Sequence, residues 1–164
     1  MSLAKHKQQT TFPLKLNTLC FLIKEDKILL ALKRRGFGAG KWNGVGGKLQ
    51  DEETIEQALI REIKEEINVT LKKYIPVATL DFYFDGKPEW DRRVMVYFAS
   101  DWDNVPTSSE EMLPAWYDRD KIPYDLMWED DKYWLPKVLE GEVIHGEFLF
   151  DESQKLKEHN IMVV

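Results

Sequence analysis

Three glutamates in the run Arg61-Glu62-Ile63-Lys64-Glu65-Glu66 are the first residues whose types and spacing could do chemistry. Positions 62, 65 and 66 are related by i+3 and i+4, so on a helix they share one face. Unaided, such carboxylates repel one another and disfavour the helix by about 0.3 kcal/mol per pair. A hard divalent cation reverses that sign. Oxygen donors at this spacing suit magnesium, which keeps several waters and completes its shell with substrate phosphates. For an arbitrary acidic helix a solvated face with Glu/Lys/Arg pairs is the commoner outcome. Here the preceding stretch weighs against it. Gly36-Phe37-Gly38-Ala39-Gly40 through Gly44-Val45-Gly46-Gly47 is too glycine-rich for a helix or a long strand. It reads as a loop whose backbone approaches something closely, placing bare main chain beside the acids.

The elements that must position these acids can be read outward from them. Thr54 and Gln57 have the spacing of a capping box, and acids at 51, 52 and 53 suit the positive end of a helix dipole. Ile55, Leu59, Ile63 and Ile67 form one apolar stripe, and Asn68 follows, a residue able to take the left-handed conformation at a helix end. Strands are predicted over 17–23 and 27–32, joined as a hairpin by Lys24-Glu25-Asp26. Two more are predicted over 77–84 and 94–99 with Asp85-Gly86 between them, a second helix over 130–139, and a short strand over 147–150. Residues 1–13 read as a loose tail before a single domain over 14–164. Strands on both sides of a helix predict an α/β or α+β arrangement, a mixed sheet with helices packed against it.

Composition bounds what the chemistry can be. The 164 residues suit one domain, and 43% hydrophobic with 32% charged side chains is an ordinary globular balance. Twenty-three basic against 29 acidic side chains leave −6, which counts against gripping duplex nucleic acid through its phosphates. A small anionic substrate remains compatible, since a metal ion and a few local cations can carry that work. Cys20, the one cysteine, lies in the apolar run 19–23 and reads as a buried small side chain. No apolar run approaches the ~20 residues needed to span a bilayer, and a monomeric cytoplasmic protein is expected.

The motif as a whole resembles a known family. Gly47, five residues, Glu53, seven residues, Arg61-Glu62-Ile63, one residue, Glu65-Glu66, one residue, Asn68-Val69 is similar to the Nudix box. Asn68 stands where the family has glycine. The flanks 35–44 and 127–131 resemble the animal-type MutT homologues, the oxidised purine nucleoside triphosphate hydrolases; the likeness covers roughly residues 16–150. Glu52 departs from it, standing where these relatives often carry glycine. The resemblance implies a mixed β-sheet sandwiched between helices with a loop-helix-loop catalytic motif. It implies Mg2+, with Mn2+ as a substitute, held by Glu62, Glu65, Glu66 and the Gly46 carbonyl. Arg61 would pair with Glu53 and hold the helix against the loop, and Gly47 and Lys48 would face the phosphates.

Water would attack a phosphoryl group and release monophosphate and pyrophosphate, with Glu66 and Glu111 as candidates for the base and Glu111 as an additional ligand. Without the resemblance, Glu111 reads as part of an exposed loop. The base pocket would take Asn43, Trp128, Asp130 and Asp131, with Phe37 and Phe82 as apolar walls and Thr18 and Lys33 lining it. Trp128 offers a flat face, and the Asn43 amide can read a base edge. Adjacent acids at 130 and 131 are more often a charged helix N-terminus. Held together against a base they would instead share a proton, and the protonated one becomes a donor. The box handles the diphosphate and not the base, so ADP-ribose, a dinucleoside polyphosphate or a capped RNA end is the alternative substrate. A non-catalytic nucleotide sensor would be expected to lose acids from the metal helix, and a protein-interaction module would leave the glycine loop unexplained.

Overall fold

In the computed structural model, which describes all 164 residues, period-two alternation divides the core into two layers. Strand β1 (Lys15–Lys24) sends Phe21 to one side and Cys20 and Leu22 to the other; β2 (Lys27–Lys33) does the same with Ile28 and Leu30 against Leu29 and Ala31. Both faces are covered, which is why these strands read as continuous apolar runs. On one side lie Leu59, Ile63 and Ile67 of α2 (Ile55–Ile67); on the other, Trp134, Leu135 and Val138 of α3 (Asp131–Leu139).

The sheet has eight strands. β3 (Trp42–Asn43), β2, β1, β5 (Arg92–Asp103), β4 (Thr70–Phe84), β7 (Ile144–Phe150) and β8 (Leu156–Val163) follow one another, and β6 (Met112–Asp118) pairs with β2. β1 runs parallel to β5 and β4 parallel to β7, while the remaining pairs are antiparallel. The sheet is mixed and lies between helices, as expected. The Thr54–Gln57 capping box is formed, and Asn68 closes α2 with φ 60° in the left-handed region. Glu52 also sits at φ 66°, a conformation glycine adopts at lower cost.

Several elements differ from the sequence expectation. The first residues are not a loose tail: Leu3–Gln9 form a short helix, α1, capped by the Ser2 side chain. Leu3 packs with Leu14, Tyr83 and Leu149, and His6 is buried with its Nε2 2.8 Å from Asp91. A seven-residue helix with one large apolar side chain has no periodic signature, and tertiary contacts hold it. β4, β5 and β7 are longer than predicted, because ladder pairing continues through ends that mix apolar and polar residues without clean alternation. β6 and β8 were absent from the expectation; β8 is a mostly exposed edge strand in which only Leu156 and Ile161 pack on the core, too few for an alternating apolar signal.

Candidate active site

The junction of β1, the glycine loop and α2 has little room for side chains. A Cβ on Gly46 would lie 1.9 Å from the Thr18 carbonyl oxygen, and one on Gly47 would lie 2.6 Å from the Glu62 carboxylate. The loop is pinned to β1 by the Thr18 N–H donating to Gly47 O at 2.8 Å and by reciprocal bonds between Cys20 and Val45. Glycine is therefore required here by close approach, and the result is bare backbone lying against Glu62.

Arg61 ties the helix to this loop. Its Nε and Nη2 donate to the two Glu53 oxygens at 2.6 and 3.0 Å, and Nη2 also reaches Lys48 O at 3.2 Å. The Arg61 hydrogen bonds hold the Glu53 carboxyl down at about 2, so it stays charged. Nη1 further donates to Glu62 at 2.9 Å and Glu65 at 3.2 Å. With Glu62 and Glu65 turned onto Arg61, no three acids close on one point as metal ligands. Glu66 differs from both. Its Oε2 is buried without a hydrogen-bond partner, and burial, then the Glu62 and Glu111 charges, push its carboxyl up to about 8. Glu111 is half-exposed and paired with Arg35 Nη2 at 3.2 Å.

These groups line one end of a cleft of about 990 Å³, at the upper end of the range of small-ligand sites. Of the expected site residues only Glu53 lies outside it, behind Arg61. Lys33, Lys48, Gly46 and Gly47 lie on its wall with Arg61, Glu62, Glu65, Glu66 and Glu111. The other end is aromatic. Phe37 and Trp128 are 5.2 Å apart between centroids, Lys41 Nζ lies 5.2 Å over the Trp128 ring, and Phe82 stacks on Phe148 at 5.6 Å. Asn43 Oδ1 accepts from the Gly44 N–H at 2.8 Å, so its amide offers the cleft donors more than an acceptor. The Thr18 hydroxyl is buried without a partner.

Asp130 and Asp131 floor that aromatic end, each 2% exposed. Asp130 gives α3 no side-chain cap hydrogen bond; its Oδ2 instead accepts from Trp134 Nε1 at 2.8 Å. Asp131 Oδ2 is buried with no partner at all. Burial pushes Asp130 up to about 6 and raises Asp131 well above the usual carboxylate range, with the Asp130 charge adding to the second shift. Both shifts favour the protonated form, so the pair is disposed to hold a proton that an isolated surface carboxylate would lose. Sequence reasoning missed Asn17, Lys41, Trp90 and Arg92, all on the cleft wall. For Asn17 the signal was a polar residue opening an apolar strand. For Arg92 only the strand register reveals which of two adjacent arginines faces inward.

Comparison with known proteins identifies the family. The NUDIX domain family matches residues 13–138. The chain is 41% identical over 150 residues to an oxidized purine nucleoside triphosphate hydrolase of Danio rerio, covering 92% of this chain and 96% of the relative. It is 38% identical, with the same coverage, to the protein of that name from Mus musculus. A crystal structure of a MutT protein from Bacillus halodurans superposes with TM-score 0.80 at 24% identity, covering 90% of this chain and 97% of that one. No helix is long and apolar enough to cross a membrane. Nudix hydrolases as a class use divalent metal ions. This chain belongs to the NUDIX family and is a hydrolase of that class.

Proposed function

We propose that the protein hydrolyses oxidised purine nucleoside triphosphates, such as 8-oxo-dGTP, to the monophosphate and pyrophosphate. The observation that carries the reading is the continuity of one cleft. It joins the carboxylate helix to an aromatic pocket floored by the buried Asp130–Asp131 pair, whose carboxyls are both raised. The Danio rerio and Mus musculus relatives are named for this activity. A carboxyl pair holding one proton offers a base edge both a donor and an acceptor, which suits oxidised guanine and oxidised adenine alike.

The residues fit a hard divalent cation, which we assign as magnesium. Glu66 has an unpartnered buried oxygen, the neighbouring acids supply further oxygens, and the Gly46 carbonyl lies in the same cleft. Glu62, Glu65, Glu66 and the Gly46 carbonyl would hold it, with Glu111 as a further ligand. When bound, the metal would neutralise phosphate charge and make water more acidic. The protein's own groups do the remaining work. Arg61 and Glu53 fix the helix against the loop; Lys48 would face the phosphates, and Lys33, expected in the base pocket, lies within electrostatic reach of Glu66. Glu66 or Glu111 accepts the proton of the attacking water as the bond between the bridging oxygen and the β-phosphorus breaks, the monophosphate leaving and the water oxygen ending in pyrophosphate.

Pyrophosphate release with magnesium across a nucleotide panel tests the reading. Fast release from 8-oxo-dGTP, with slower turnover of ADP-ribose and dinucleoside polyphosphates, is expected. Preference for either of the latter would reassign the substrate, and release of inorganic phosphate in single steps would refute the reaction.

A further inference from the structure

Two adjacent arginines on β5 meet opposite fates, because strand alternation sends them to opposite faces of the sheet. Arg93 is gripped by Asp81, with Nε and Nη2 donating at 2.7 and 2.9 Å, and His145 completes that cluster at 2.9 Å from the same acid. Arg92 lines the active-site cleft, and neither a hydrogen bond nor an ion pair engages its guanidinium. Its register partner on β4 is Phe82, and Trp90 and Val94 flank it on the cleft side. It therefore belongs to the aromatic half of the cleft and not to the carboxylate helix.

A guanidinium carries five N–H donors and no acceptor. Arg92 is half-buried with its donors open to the cleft, so a ligand that displaces water there must bring acceptors in its place. Burial alone lowers the Arg92 pKa, with no acid contributing, so the Asp130–Asp131 pair does not compensate it. A purine whose pyrimidine-ring edge is read by that acid pair turns its imidazole edge away from them. In an 8-oxo purine that edge carries a carbonyl oxygen at C8, where the unmodified base has only C–H. We infer that Arg92 donates a hydrogen bond to the C8 oxygen of the oxidised purine and so determines selectivity for oxidised over unmodified base. This rests on the oxidised purine triphosphate reading above.

The test measures kcat/KM of wild type, Arg92→Met and Arg92→Lys for 8-oxo-dGTP, dGTP, 2-hydroxy-dATP and dATP. In Arg92→Met the 8-oxo-dGTP to dGTP ratio should fall about ten- to a hundredfold. The 2-hydroxy-dATP to dATP ratio should hold, because that lesion has no C8 oxygen. Arg92→Lys keeps a donor without the planar fork and should fall between, and it carries the test where Arg92→Met is unfolded by circular dichroism. Binding of 8-oxo-dGMP against dGMP without metal, followed by tryptophan fluorescence, should show the same loss of discrimination. A wild type inactive on 8-oxo-dGTP would remove the functional reading itself. An active wild type whose ratio survives Arg92→Met would overturn the Arg92 assignment alone. Equal losses on all four nucleotides would overturn it too, making Arg92 a phosphate contact.

Discussion

The two ends of the cleft both bury carboxyl groups above their usual pKa, yet they are built to opposite purposes. At the α2 end, Glu66 has an unpartnered oxygen beside other acids, with Lys33 opposing the shift. Its proton is one that a divalent cation can displace, because the ion supplies the charge that burial denies. At the α3 end, Asp130 and Asp131 line the cleft floor with Trp134 Nε1 donating to Asp130, and no cation is among the groups that shift either acid. Nothing there opposes the hold on a proton. The same physical cause, desolvation, thus yields a site ready to bind a cation at one end and a partly protonated hydrogen-bonding surface at the other.

The largest expected break in this comparison is at Glu66. Glu66→Gln is nearly isosteric and should leave the melting temperature close to wild type. A neutral amide is a poor magnesium ligand, so kcat should fall about a thousandfold, corresponding to several kcal/mol of lost charge stabilisation. Near-normal turnover at saturating magnesium would exclude Glu66 as a central ligand. The other end should respond differently. Asp130→Asn and Asp131→Asn fix one donor and one acceptor where the acid pair can switch. The ratio of kcat/KM for oxidised guanine against oxidised adenine triphosphate should shift about ten- to a hundredfold. The two variants should shift it unequally, because Trp134 Nε1 donates to Asp130 Oδ2 at 2.8 Å whereas Asp131 Oδ2 is unpartnered. An unchanged ratio would reduce the pair to acids at a helix N-terminus.

How much of this was legible in the chain follows the same division. The α2 end is local: capping box, glycine loop, acids and Asn68 lie within residues 44–68, and spacing alone implies their geometry. Arg61 meeting Glu53 was implied by the resemblance to the Nudix box, and the two residues meet because both belong to one loop-helix unit. The α3 end is assembled from β1, β4, β5, β7 and the α3 entrance, brought together by strand order that no local pattern encodes. Trp128 and the two acids were recognisable as a motif, but the Trp134 hydrogen bond and the inward Arg92 needed the register. Helix α1 was illegible for the same reason, since its His6 finds Asp91 across 85 residues.

The smallest effect should appear in stability rather than turnover. A carboxyl whose folded pKa is raised binds a proton more tightly folded than unfolded. Its contribution is full below the unfolded value and is lost as pH rises through the folded one. For Asp130 that loss spans about pH 4 to 6, and the coupled Asp131 carries it further upward. Glu66 acts in the same direction up to about 8, whereas Glu53, held at about 2, is charged in both states above pH 6 and contributes no slope there. Metal-free protein should therefore lose stability as pH rises from 5 to 7. Replacing Asp130 with Asn should remove part of that decline while leaving the Glu66 part in place. Melting temperatures followed in chelator at pH 5, 6, 7 and 8 should fall more steeply for wild type than for Asp130→Asn. The expected difference is about 2–6 °C between pH 5 and 7, at 2–4 °C per kcal/mol for a chain of this length. Parallel curves would mean that the pair holds no extra proton in the folded protein. Reading of the base would then have to rest on Asn43, Trp128 and the aromatic walls.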